Sequence, residues 1–427
     1  FDLILTMYSV GELDVFDFAK EAKKLMPECP IVLLSSFSKE IYNRIEQHDR
    51  SDIDYFFNWN NSTDLIIAII KLIEDRMNAP HDIIEEGVRA ILLVEDSVRY
   101  YSTYLPLLYK LVLQQNQIAI RDALNEKQQL LRKRARPKVL LATCYDEALE
   151  TYRRYEKNII GVISDIGFVL HKGDPSSTEK LDAGIDLCRL IRQENPTMPF
   201  LMQSSQESMR SIAKQLKVGF VVKTSKTLTQ ELSAYIEREF GFGDFVAIDP
   251  RSGKEIARAS DLEAFERVIS TISSAAFRRL SDNNYLSKWL FARGLFAIGR
   301  HVQKLQIQDE TDIENIRQTN IRLIHDYRIN QALGVVARYS PQTYNDTIWF
   351  ARCGDGAMGG KGRGLAFLNH TLQKHDLYDH WPQLRVLVPR TMVITTEYFD
   401  RFIHDNGLQY VINADLTDEE ILSEFVA

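Results

Sequence analysis

The chain has 427 residues, 45% hydrophobic and 26% charged, with a formal net charge of -7. This length accommodates about three domains of ordinary globular composition. The acidic total excludes a global basic field for nucleic acid. The longest apolar stretch, near Leu65–Ile73, contains Lys71 and is too short to span a bilayer.

The first segment, 1–80, alternates short apolar runs with amphipathic stretches, the pattern of a parallel sheet with helical crossovers. It repeats in the segment that follows, 88–243. Asp2-Leu3-Ile4-Leu5-Thr6 matches the run Ile159–Ser164. Pro27–Pro30 matches Pro196–Pro199, and Ser35 and Ser204 each follow five residues later. Tyr55-Phe56-Phe57 matches Phe220-Val221-Val222. The polar residues differ between copies: Met7 stands where the second copy has Asp165, and Asn58 where it has Lys223.

In the second copy, four apolar runs end in chemistry. Ile91–Val94 leads into Glu95-Asp96, Ile159–Ser164 into Asp165, Phe200–Gln203 into Ser204, and Phe220–Val222 into Lys223. As buried parallel strands, these runs bring acids, hydroxyl and ammonium to the carboxyl edge of one sheet, where open α/β sheets bind their ligands. Two insertions interrupt this segment. Leu105–Leu131 has helix-spaced apolar residues and ends in Arg132-Lys133-Arg134-Ala135-Arg136; no aromatics interleave the cations, so we read a helix that packs on a neighbouring domain or a second protomer. Phe168–Lys180 is rich in Gly, Pro and Ser and reads as a mobile loop over the site.

From about Asp261 to Arg338 the period becomes helical, with Leu262, Phe265, Val268, Ile269 and Ile272 on one face. We read 244–345 as a helical connector, with His301 and His325 as packing or surface residues. The segment 346–427 opens on Gly354–Gly364, a glycine-rich turn around Lys361. Such turns let amides approach phosphate. It is not a Walker A loop, because Lys361-Gly362 lacks the Ser/Thr and the glycine spacing is wrong. The four cysteines lack metal or disulfide spacing and read as reduced cytoplasmic thiols. The chain starts at Phe1 inside a strand-like run and stops at Ala427 without a terminating element, so we expect a piece of a longer protein.

The acidic pair, Asp165, Ser204 and Lys223, in that order, resemble the receiver domain of response regulators. The resemblance implies tandem flavodoxin-like, doubly wound parallel sheets. It implies Asp165 as phospho-acceptor, Mg²⁺ on Glu95, Asp96, Asp165 and the Gly167 carbonyl, Lys223 paired with the phosphoryl oxygen, and Ser204 moving toward it. A histidine kinase or small phosphodonor would supply the phosphoryl group. The first copy, lacking aspartate and lysine, resembles a truncated pseudo-receiver. Thr224 stands where the family usually has proline. The Gly-Gly-Lys turn, its helix, Val386–Pro389 and Thr391–Phe399 resemble the opening of the nucleotide-binding domain of phosphoenolpyruvate synthase and pyruvate phosphate dikinase. That implies the start of an ATP-grasp-like α+β domain in which Lys361, Gly359 and Gly360 contact ATP phosphates. The expected whole is a cytoplasmic, homodimeric phosphorelay receiver that regulates an ATP-using phosphotransferase domain. The alternative is a non-catalytic dimerisation and interaction scaffold. Neither nucleic acid nor membrane is an expected partner.

Overall fold

The computed structural model describes residues 2–10, 13–35, 51–59, 61–332, 334–341, 347–375, 377, 381, 383–384 and 386–426. Phe1 and Ala427, the two chain ends invoked above, lie outside the described residues. The fold is mixed α/β with parallel sheets.

The first unit carries strands β1 (Ile4–Met7), β2 (Ile31–Ser35) and β3 (Tyr55–Asn58), with helices α1 (Val15–Leu25) and α2 (Thr63–Ala79). The strands are parallel in the order β1-β2-β3. Helix α1 is started by Asp14, whose carboxylate accepts from the Phe16 amide, and it buries Val15, Ala19 and Ala22 on one face.

The central unit has five parallel strands: β4 (Ala90–Val94), β5 (Lys138–Ala142), β6 (Ile159–Asp165), β7 (Phe200–Ser204) and β8 (Gly219–Val222). Their spatial order is β8-β7-β6-β4-β5. Counted within the unit this is 2-1-3-4-5, the doubly wound order whose switch point lies between the first and third strands. Helices cover both faces, so β4, β5 and β7 are buried along their whole length and need no polar alternation. Helix α3 (Val98–Arg121) follows β4, and α4 (Glu126–Arg134) completes the first insertion; α5 (Tyr145–Tyr155), α6 (Ala183–Glu194), α7 (Arg210–Gln215) and α8 (Leu228–Phe240) follow β5, β6, β7 and β8. The Leu105–Leu131 stretch is therefore two helices rather than one. Its basic end is engaged: Arg132 Nη1 donates to the Arg293 carbonyl and Arg136 pairs with Asp75.

The first two units share a core. Val32, Leu34, Phe57, Leu65 and Ile69 of the first pack in one cluster with Ile91, Leu93, Tyr104 and Leu108 of the second. Asp75 on α2 is fully buried. It accepts from Tyr109 Oη at 3.0 Å and the Val139 amide at 2.9 Å, and it pairs with Arg136. The Asn58 amide donates to Ser102 Oγ on α3 at 2.9 Å. The first copy thus sits on the helix that leaves the acidic pair of the second.

Registers refine the repeat. Met7 pairs with Leu34, one residue before Ser35; Asp165 pairs with Gln203, one residue before Ser204. Met7 therefore occupies the Asp165 position. The lysine equivalence needs correcting by one residue. The Trp59 amide donates to the Ser35 carbonyl at 2.8 Å as the Lys223 amide donates to the Ser204 carbonyl at 2.9 Å, so Trp59, not Asn58, matches Lys223. Aligning apolar triplets missed this because hydrophobicity alone does not mark where a strand stops. Neither residue supplies a cation.

The 244–345 segment is not helical throughout. It opens with an antiparallel pair, β9 (Phe245–Ile248) and β10 (Glu255–Ala259), before α9 (Leu262–Thr271), α10 (Ser274–Asp282), α11 (Tyr285–Ala292), α12 (Phe296–Lys304) and α13 (Asp312–Ala332). Phe245, Phe265 and Trp289 form its aromatic centre. It docks on the central unit where Gly241, at φ +79°, turns the chain at the end of the helix Leu228–Phe240. A Cβ there would lie 2.7 Å from the Lys288–Trp289 backbone. The last unit has a parallel sheet of β11 (Ala337–Arg338), β12 (Phe350–Cys353) and β13 (Thr391–Ile394), with α14 (Gly359–Lys374) and α15 (Thr396–Asp405). Phe367, Leu368, Met392, Ile394 and Phe399 are exposed there. Among the described residues no helix is long and apolar enough to cross a membrane.

Candidate functional site

Glu95 and Asp96 follow β4, Asp165 ends β6, Ser204 ends β7 and Lys223 follows β8. The strand order places β4 beside β6 at the switch point, so residues far apart in sequence converge at one sheet edge. Carboxylate oxygens of Glu95, Asp96 and Asp165 lie within 4.8 Å of one another. Lys223 Nζ is 2.7 Å from Glu95 Oε2 and pairs directly with Asp165 Oδ2. The lysine side chain is 4% exposed and Glu95 is fully buried. Ser204 is buried and its Oγ accepts from the Gln206 amide at 3.1 Å.

Three carboxylates face one ammonium, a formal excess of two negative charges. Burial raises the Asp165 carboxyl pKa, against the opposing pull of Lys223 and the Ile166 and Gly167 amides. Burial also raises Glu95, with Lys223 opposing and Asp165 adding. Asp96 is pushed up to about 6, first by burial and then by Asp165. Burial pulls Lys223 down, but Glu95 and Asp165 outweigh it and hold the ammonium charged. The residues fit a hard divalent cation: clustered carboxylate oxygens, partly dehydrated, with two charges unbalanced. The Gly167 carbonyl stands two residues beyond Asp165 on the same loop.

The structure adds residues that were not singled out in the sequence. Tyr100 lies beneath Lys223 Nζ, 4.3 Å from the ring centroid. Tyr104, one turn along α3, has a buried hydroxyl without a partner among the described residues, and Glu95 and Asp165 are among the charges acting on it. Gln203 Nε2 donates to Glu95 Oε2 at 3.2 Å. An i, i+4 tyrosine pair just after the acidic pair was a visible signal. Glu179 had none, since it sits inside the Phe168–Lys180 insertion. Its Oε1 occupies the space beside Gly167, 2.3 Å from where a Cβ would stand, and its charge raises both Asp96 and, in turn, feels Asp165.

That insertion is tied down at several points. Phe168 and Lys180 exchange backbone hydrogen bonds at 3.3 and 3.1 Å. Phe168 is fully buried, and the Tyr145 and Asp146 amides donate to the Val169 and Leu170 carbonyls. Its composition suggested mobility because Gly, Pro and Ser are frequent; the anchoring comes from apolar Phe168 and Val169 in the core.

Lys361 and the glycine-rich turn lie in a separate unit and do not join this cluster. The turn links β12 to α14, and Lys361 is exposed in the first turn of that helix. Two of its amides are already used: Asp355 N donates to Glu397 Oε2 at 2.5 Å and Ala357 N to Thr396 Oγ1 at 3.0 Å. A phosphate there would meet the first-turn amides and Lys361, where a Cβ on Gly359 or Gly360 would find open space.

No family model matches the chain, and no curated protein matches it. Among solved structures, the chain is similar to a response regulator receiver domain protein from Clostridium thermocellum, at 19% identity and a TM-score of 0.23, over 35% of this chain and 92% of that one. It is also similar to a probable two-component system response regulator/GGDEF domain protein, at 13% identity and a TM-score of 0.23, over 56% and 79% respectively. Likenesses this slight carry no weight beside the strand order and the clustered side chains.

Proposed function

We propose that the central unit is a phospho-accepting receiver of a two-component relay, with Asp165 as acceptor. The observation that carries this reading is the convergence of Glu95, Asp96, Asp165 and Lys223 at the switch point of a 2-1-3-4-5 parallel sheet. In the reaction, an Asp165 carboxylate oxygen attacks the phosphorus of a phosphohistidine or a small acyl phosphate. The phosphorus–donor bond breaks, and the donor leaves with the bonding electrons. Lys223 would hold a phosphoryl oxygen as a point charge once Asp165 is phosphorylated. Ser204 offers a hydroxyl from the neighbouring strand end. Glu95, Asp96, Asp165 and the Gly167 carbonyl would hold Mg²⁺, which neutralises phosphoryl charge when bound.

The first unit, with Met7 and Trp59 at the corresponding places, offers no acceptor carboxylate at that position and serves as a docking module on α3. The phosphorylated state would bias the packing of the central unit against its neighbours and so control the C-terminal unit, which we read as an ATP-binding element using Lys361, Gly359 and Gly360. A homodimeric, cytoplasmic protein is part of this reading. Incubation with Mg²⁺ and acetyl phosphate, followed by intact mass, tests the central claim. The expected result is one phosphate adduct that disappears in Asp165→Asn. An adduct that persists in that variant, or none in the parent, refutes it.

A further inference from the structure

At the opposite end of the central sheet lies a groove of about 1140 Å³ that the phosphorylation reading does not use. It runs between the segments entering β6 and β7 and helices α10 to α12. Its walls carry five cations against three carboxylates in a chain that is acidic overall. Those cations are Arg89, Lys157, Lys288, Arg300 and Lys304.

Arg89 is the informative member. It is 4% exposed, and its guanidinium lies 3.6 Å from the centroid of the Phe291 ring. Nη1 donates to the Lys157 carbonyl at 2.6 Å, but Nε is buried with no acceptor among the described residues. No carboxylate pairs with it among the described residues. The charge that acts on it is another cation, Arg300, whose Nη1 packs over the turn at Gly87, 3.1 Å from where a Cβ would stand. Lys288 Nζ donates to the Thr197 carbonyl at 3.2 Å and lies 5.1 Å from the centroid of the Tyr285 ring, with the Glu239 carboxylate acting on its charge.

A buried guanidinium facing a second guanidinium without an anion is costly. Burial, and then Arg300, lower the Arg89 pKa to about 10; burial lowers Lys288 to about 8. A bound dianion would reverse both penalties. Two guanidinium forks and nearby ammoniums suit phosphate oxygens, and the volume is that of a small-molecule site.

We propose that this groove binds a small phosphate-bearing metabolite through Arg89 and Arg300, with Lys288 and Lys304 at its rim. The site lies behind Asp165: β6 begins in the groove at Ile159 and ends at the acceptor. A ligand there would therefore touch the same strand that carries the candidate acceptor. The proposal does not depend on phosphorylation of Asp165.

The test is calorimetric titration of the whole chain with inorganic pyrophosphate, without Mg²⁺. Binding should be saturable in the parent and at least about tenfold weaker in Arg300→Glu, the loss expected for one charged hydrogen-bonding partner. Lys304→Glu should weaken it further, and Lys254→Glu, at an exposed lysine outside the groove, should leave it unchanged. Arg300 is on the surface, so a matching melting temperature shows that the variant is folded. Absent heat in the parent, an unaltered affinity in Arg300→Glu, or an equal loss in Lys254→Glu overturns the assignment.

Discussion

Replacing Asp96 by asparagine should stabilise the metal-free protein at pH 7.5. The folded chain raises the Asp96 carboxyl from 3.8 to about 6. Between those values the folded state keeps a proton that the unfolded state has released, so stability falls as pH rises through the window. At about 1.4 kcal/mol per pKa unit the full effect is about 3 kcal/mol; partial solvent access and relaxation reduce it to about 1–3 kcal/mol. That corresponds to a rise of about 2–10 °C in the melting temperature of a unit this size. The gain should vanish below pH 4, where Asp96 is protonated in both states. Divalent cations should reverse the ranking. At a hundredfold excess over its Kd, Mg²⁺ adds about 2.7 kcal/mol to the parent and much less to the variant. Calorimetric melting at pH 4, 6 and 7.5, with EDTA and with Mg²⁺, measures all of this. An Asp96→Asn protein that is less stable than the parent at pH 7.5 in EDTA would refute the account of the site as an overcharged, partly dehydrated carboxylate cluster.

Lys223→Ala removes the cation 2.7 Å from fully buried Glu95 and should cost about 3–5 kcal/mol at pH 8 in denaturant melts. The deficit should shrink toward pH 5, because Glu95, already raised by burial, escapes by taking a proton. Asp75→Ala strands buried Arg136 and the Val139 amide between the first two units. A loss of about 3–5 kcal/mol and faster proteolysis within residues 51–79 are expected, whereas Glu74→Ala should change little. Gly184→Ala would set a Cβ 2.0 Å from the Asp165 carbonyl oxygen, a backbone atom that cannot swing aside. It should lower stability by about 1–3 kcal/mol and weaken Mg²⁺ binding measured by calorimetry. Gly167→Ala meets only the tip of Glu179 and should be tolerated.

The strands and the polar residues at their ends were legible in the chain alone. Continuous apolar runs such as Ala90–Val94 and Phe200–Met202 mark strands buried on both faces, and the polar residue that stops each run is visible by eye. That Met7 stands where the second copy has Asp165 was equally legible. Distance and company come from the folded chain. The pairing of Lys223 with both Glu95 and Asp165 depends on the order 2-1-3-4-5, which no local pattern encodes. Glu179 reaches the site only because buried Phe168 anchors its loop, and Trp59 replaced Asn58 only when hydrogen-bond register was seen. The stretch Arg132–Arg136 reads as part of a helix that packs on a neighbour, but nothing local names Asp75, 61 residues earlier, as the partner of buried Arg136. Local sequence fixes which face of a strand or helix is apolar; which charges meet across the fold is set by long-range packing, where burial multiplies the strength of each encounter.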